Sequence, residues 1–430
     1  MPIQTRSRRL PLGMGAVAAL GSAALVITAG LVLGQSAEDE IAGGHGVLHG
    51  YTSAPETAWT LDEQSLPGLT GDGDIEVADT SGDDWLVSYT AGIRRVYVLV
   101  DADTGASRWD APVNAGFGAC AFDESGDIGC AVRTRTDGPD NGFFLVDRES
   151  GHLEPASRGS DTADLVGIGA DYIHVNDSGY GVSRRSPSGD ERWSRTFASS
   201  ATPTVSDGVL VVTTSDGARF VLDPETGEDV VACQDCEVTT YPTGLVVSRS
   251  HDGTTTLDFY RVSDGVVDPD RTRSADGLQV VPGPSTLPVV TAAGDTVLES
   301  HGRYQILDPG TGRAVWEVAD AELSKVHTRP CGPQVSFARK DRSRVFFTLA
   351  DGARVGELPE PALGHPEVDI DMLSCVGASD EVAVFGNGSQ LTAFRPSTGD
   401  QAWTFPINGD ASVVDGRIVL VQGSTLSVLR

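Results

Sequence analysis

The sequence predicts an all-β protein, an eight-bladed β-propeller of four-stranded antiparallel blades with seven or nine blades held open, preceded by one N-terminal transmembrane helix. Three observations predict it. A turn motif recurs about every 42 residues down the chain, which is the length of four short strands plus their turns. Glycine is abundant, at 51 of 430 residues, and helix formers concentrate near the start. An uncharged apolar run spans Leu10 to Gly34.

From the N-terminus, Arg6, Arg8 and Arg9 close a basic tail over residues 1–9. The run at 10–34 is long enough to span a hydrocarbon core of about 30 Å as a helix. Arginines before it and Glu38-Asp39-Glu40 after it place the N-terminus in the cytoplasm and the remainder outside, a single-pass arrangement in the cell membrane. A cleaved secretion signal is the alternative. Against it, the run is long for a signal and Gln35-Ser36-Ala37 lacks a small residue at the first position of a cleavage site. Residues 35–55 read as an extracytoplasmic linker, in which His45 and His49 are linker residues rather than metal ligands.

The propeller is expected over residues 56–430. VYVLVDADTGASRW (Val96 to Trp109), RYQILDPGTGRAVW (Arg303 to Trp316) and QLTAFRPSTGDQAW (Gln390 to Trp403) share one plan. An alternating apolar run is a half-buried strand, and the Asp-x-Thr-Gly that follows is a tight turn whose Gly takes positive φ. Trp109, Trp193, Trp316 and Trp403 are expected on the returning strand, filling the space between one blade and the next. Turn glycines at 105, 151, 189, 227, 265, 312, 352 and 399 mark units near 74–113, 117–156, 164–197, 202–233, 237–270, 287–318, 326–358 and 370–406. The units around Gly265 and Gly352 are the faintest, and Asp268 to Leu287 reads as a loop.

The chain ends complement each other. Residues 411–414, 417–421 and 425–430 look like three strands of a blade lacking its fourth, and Glu56 to Leu61, with Trp59, looks like the missing strand. Joining them closes the ring and leaves no open edge. Counting literally gives eight turns plus this composite blade. Because propellers commonly stop at eight, one faint unit is assigned to an insertion or a merged blade.

Six cysteines outside the cytoplasm are free to pair. Cys120 and Cys130 fall on neighbouring strands of one hairpin. Cys331 and Cys375 sit near the ends of the innermost strands of consecutive units, where a bond ties blade to blade. Cys233 and Cys236 stand at a blade junction; their spacing also suits a redox dithiol or half a zinc site, but neither a helix start nor two further ligands accompanies them.

With 61 acidic against 31 basic side chains the formal charge is −30, and no basic stripe exists to neutralise phosphates, which excludes nucleic acid as a partner. No HExxH, GxSxG or P-loop motif occurs. His174, His251 and His301 fall on or beside second or third strands, where packing accounts for them as well as function does. Gly71 to Asp74 and Asp79 to Asp84 hold many carboxylates but lack the spacing of a calcium loop.

The apolar run, Asp, x, x, Thr-Gly, x, x, x, Trp resembles the repeat of the quinoprotein-like, or PQQ-like, β-propeller family, over most of residues 56–430. That resemblance implies the propeller fold and an extracytoplasmic place. It leaves two functions in competition, since some members are dehydrogenases holding pyrroloquinoline quinone and calcium over the ring centre while others are cofactor-free protein scaffolds. The enzymes carry adjacent cysteines, which this chain lacks, and Trp85 is its only Trp outside the repeated position. No catalytic, cofactor-binding or metal residue is assigned. The expectation is therefore a cofactor-free, non-enzymatic scaffold binding an envelope protein or extracytoplasmic ligand, with a quinone-dependent dehydrogenase or other enzyme at the central channel as the alternative. Lys325 and Lys340 are the only lysines among many arginines, as in an envelope protein of a high-GC Gram-positive bacterium.

Overall fold

The computed structural model describes residues 44–134, 141–158, 161–251, 253–293, 302–324, 327–361 and 365–430. The membrane-span expectation, residues 10–34, and its cytoplasmic tail lie outside them. Among the described residues no helix is long and apolar enough to cross a membrane.

Among the described residues nine antiparallel sheets form, each a run of sequential strands except the last. The expectation of eight blades is corrected to nine. Blades 1 to 8 begin at Ile75, Cys120, Thr162, Ala201, Cys236, Leu278, Arg329 and Ser374. Blade 9 takes Asp410–Val414, Arg417–Gln422 and Thr425–Leu429 from the end of the chain and Thr57–Leu61 from its start. The literal count of eight turns plus the composite blade holds, and the unit discounted as an insertion is a blade; the irregular one is blade 5. After the turn at Gly265 only Val266–Val267 folds back, and the fourth strand is Arg273–Asp276, paired on Thr254–Ser263. The segment read as a loop from 268 to 287 thus carries that strand and also Leu278–Val280, the first strand of blade 6.

The repeated Trp works as a plug between blades. Trp59, Trp109, Trp193 and Trp316 each lie against the turn glycine of the next blade, Gly105, Gly151, Gly227 and Gly352, so closely that a Cβ on the glycine would stand 2.6 to 2.9 Å from the indole. Each indole N–H donates to the carbonyl three residues before that glycine: Ala102, Arg148, Pro224 and Leu349, at 2.8 to 3.0 Å. The glycine therefore supplies both the positive φ the turn requires and the flat surface the ring needs. Trp109 departs from expectation in one respect: it precedes its blade's fourth strand, Val113–Gly116, and does not lie on it.

Trp403 has no such turn to meet, because the corresponding turn of blade 9 is the junction of the two chain ends, where Glu56 and Arg430 exchange backbone bonds. Its indole N–H donates to the Tyr51 carbonyl at 2.7 Å instead. Tyr51 lies in the segment read as linker, and residues 44–52 form a strap over one face of the ring. His45 Nε2 meets Asp207 Oδ1 of blade 4 at 2.9 Å and its ring stacks on Tyr241 of blade 5. Gly46 lies against Pro284 of blade 6 and Gly332 of blade 7. Gly46 and Leu48 bond the backbone of Ala378 in blade 8, and the His49 N–H donates to Gly416 O in blade 9. Tyr51 Oη donates to Leu429 O at 2.7 Å and accepts the Ile418 N–H at 2.8 Å.

Three disulfides staple the ring. Cys120–Cys130 joins paired positions on the first two strands of blade 2. Cys233–Cys236 links the end of blade 4 to the first residue of blade 5, and Cys331–Cys375 joins the first strands of blades 7 and 8.

Candidate functional site

In a four-stranded meander the turns between strands 1–2 and 3–4 lie on one face of the ring, and the 2–3 turns with the connections to the next blade lie on the other. The strap contacts at Asp207, Tyr241, Pro284, Gly332, Ala378 and Gly416 fall at the end of a first strand or in a 1–2 turn, and those at Arg395 and Trp403 flank the 3–4 turn of blade 8, on the same face. Among the described residues the strap lies along that face from blade 4 to blade 9, and the opposite face is left open.

Among the described residues six large apolar side chains are exposed, and four of them, Ile93, Phe117, Tyr180 and Met372, lie on the open face. Ile93 and Tyr180 occupy the 2–3 turns of blades 1 and 3; Phe117 and Met372 lie in the connections from blade 1 to 2 and from blade 7 to 8. Ile93 is 77% exposed and Met372 65%. Single exposed apolar residues are normal, so the information lies in their gathering on one face, three of them on consecutive blades. Phe117 is held outward by its neighbours. Gly116 has φ +70°, and Cβ atoms at Gly116 and Gly118 would stand 2.2 and 1.8 Å from the carbonyls of Arg133 and Ala131. The backbone of this Gly-Phe-Gly segment is pressed against blade 2, with the Phe117 N–H donating to Arg133 O at 3.0 Å. Sequence reasoning passed over these four residues. The available signal was a large apolar residue flanked by glycine in a turn, as in AGIR, GFG and SGYG.

The candidate residues of the sequence are dispersed. His174 is buried in blade 3 and edges onto Phe143 of blade 2 with ring centroids 4.7 Å apart. Burial, and then the nearby Arg185 charge, push its pKa down to about 3, so the imidazole is neutral. His251 is exposed at a strand end, and His301 lies outside the described residues. Among the described residues no three His, Cys, Asp or Glu side chains converge as metal ligands do.

The acid-rich stretches are occupied by the fold. Asp72 accepts from Thr70. Asp79 accepts the backbone N–H of Phe122 in blade 2 and that of Thr80, both at 2.8 Å, while burial raises its pKa. Asp84 receives Arg108 and Arg148. Trp85 is fully buried, edge-on to Trp59, and its Nε1 donates to Asp415 at 2.8 Å. These residues do not fit a flat quinone stacked on an indole or a calcium ion held by converging carboxylates.

Residues 175–325 match the family described as outer membrane protein assembly factor BamB. With the nine repeated blades, that match makes the fold a PQQ-like β-propeller. Similar solved structures include BamB from Moraxella catarrhalis, at 14% identity over 88% of this chain and 98% of that one, with a TM-score of 0.41. The Dos1 propeller is 11% identical over 73% and 91% of the two chains, with a TM-score of 0.33. Dihydro-heme d1 dehydrogenase NirN in complex with DHE is 10% identical over 86% and 68%, with a TM-score of 0.37. A search of curated proteins finds no match to the sequence.

Proposed function

We propose that this PQQ-like propeller is a non-enzymatic, membrane-tethered scaffold whose open face binds a protein outside the cytoplasm. The observation that carries the reading is the asymmetry of the two faces: the strap lies along one, and Ile93, Phe117, Tyr180 and Met372 stand exposed on the other. A chain of formal charge −30 complements a partner whose contact surface is basic around an apolar centre. The tether is residues 10–34, with the N-terminus in the cytoplasm; three disulfides accord with an oxidising compartment.

The test is site-specific photocrosslinking in cells, with a benzophenone amino acid placed in turn at 93, 117, 180 and 372, and at 266 on the strap side as control. A discrete protein adduct at the open-face positions, weakened by salt and absent from position 266, is the expected result. Equal adducts at all five positions, or none on the open face, refute the assignment.

A further inference from the structure

Blade 3 differs from its neighbour on the face it turns toward blade 2. Cross-strand partners there are His174, Ser183 and Ser194; the same positions of blade 4 are Val212, Phe220 and Ala232. An interior blade face is normally apolar, because unpaired polar groups are costly there. In place of packed side chains stands a cleft of 180 Å³, lined also by Thr162, Asn176 and Arg185.

The polar groups of the cleft are incompletely satisfied from within. His174 is 2% exposed; its Nδ1 meets Thr162 Oγ1 at 3.1 Å, and among the described residues its Nε2 has no partner. Arg185 places one arm 3.3 Å from Glu191, while its buried Nε is also without a partner among the described residues. An apolar cavity of about 150 Å³ holds one benzene ring, so this volume suits one six-membered ring with small substituents.

We propose that the cleft binds a neutral polyhydroxylated solute the size of one sugar unit. The chemistry selects that class. The guanidinium of Arg185 is matched by Glu191, so an anionic ligand gains no unpaired counter-ion. The serine and threonine hydroxyls, the Asn176 amide, the imidazole and the guanidinium Nε alternate donors and acceptors as sugar hydroxyls do. Asp161 and Thr196, both exposed, stand at the mouth. The cleft reaches the 2–3 turn of blade 3, where Asn176 and Gly181 bracket the turn that carries Tyr180, and so lies beside the open face.

Calorimetric titration of the full-length chain tests this with D-glucose, D-galactose and D-arabinose, with maltotetraose to separate a free sugar from the end of a glycan, and with inorganic phosphate. Saturable binding of a neutral sugar, free or chain-borne, is expected. Ser183→Ala should weaken it about fivefold, the effect of one neutral hydrogen bond, and His174→Phe should abolish it while Cys120–Cys130 and the thermal transition are retained. If His174→Phe does not fold, Ser183→Ala and Ser194→Ala decide the matter. No saturable sugar binding, binding of phosphate in preference, or binding indifferent to these substitutions overturns the proposal.

Discussion

Replacing Tyr51 by Phe tests whether the strap closes the ring. The substitution removes one oxygen and keeps the ring's volume. That oxygen donates to Leu429 O at 2.7 Å and accepts from Ile418 N at 2.8 Å, and Ile418 and Leu429 are fully buried. Leaving a buried donor and a buried acceptor unpaired costs about 1–3 kcal/mol each, so blade 9 should lose at least about 2 kcal/mol. As each 1.4 kcal/mol is tenfold, exchange of the Ile418 amide should quicken about 30-fold. Hydrogen exchange resolved by residue reads this directly, with the Leu245 amide of blade 5 as the internal reference. Ile418 exchange within threefold of the parent protein, with an unchanged urea midpoint, would refute the reasoning.

Three further outcomes are expected. Gly227→Ala sets a Cβ 2.7 Å from the Trp193 ring at a residue with φ +72° and should cost more than about 1 kcal/mol in urea unfolding, whereas Trp193→Phe should cost about 1 kcal/mol for its lost bond to Pro224 O. The pair Cys331→Ser and Cys375→Ser opens a loop of sequence separation 44 and should lower stability by about 4 kcal/mol on the chain-entropy account. His174, with its pKa lowered from 6.5 to about 3, binds its proton more readily in the unfolded chain. Stability therefore falls as pH drops from about 6 toward 3, by up to about 1.4 kcal/mol per unit. A His174→Gln variant should show the shallower slope, and comparing the two proteins cancels the opposite trend of Asp79 and Asp164, whose pKa values burial raises.

The parts of the fold legible in the sequence are those fixed by local backbone need. A tight turn requires Gly at positive φ, and the Trp after it marks the seam between blades, so the period could be read without knowing the ring. The closing blade was legible for a related reason, since both ends lacked complementary strands. Blade 5 hid its fourth strand because Arg273–Asp276 is short, half charged and displaced beyond the turn that should announce it. The strap left no pattern: His45, Leu48 and Tyr51 find their partners 162 to 378 residues away, and no period connects them. Ile93 and Phe117 look like ordinary turn residues until the ring assigns their turns to one face. His174 was singled out by residue type and strand position, but the unfilled space beside it exists only once blades 2 and 3 are set together.

The strap also fixes the order in which the molecule can be completed. Its anchoring groups belong to Ala378, Trp403, Gly416, Ile418 and Leu429, whereas the strap itself is among the first parts of the ring to be translated. Blades built from consecutive strands can form as they emerge from the ribosome. Residues 46–52 must wait, with Leu48 and Tyr51 uncovered, until blades 8 and 9 have been made. Closure of the ring therefore reports that the chain has been made through blade 9, and a chain stopped short of residue 378 leaves exposed the Leu48 and Tyr51 that the closed ring conceals.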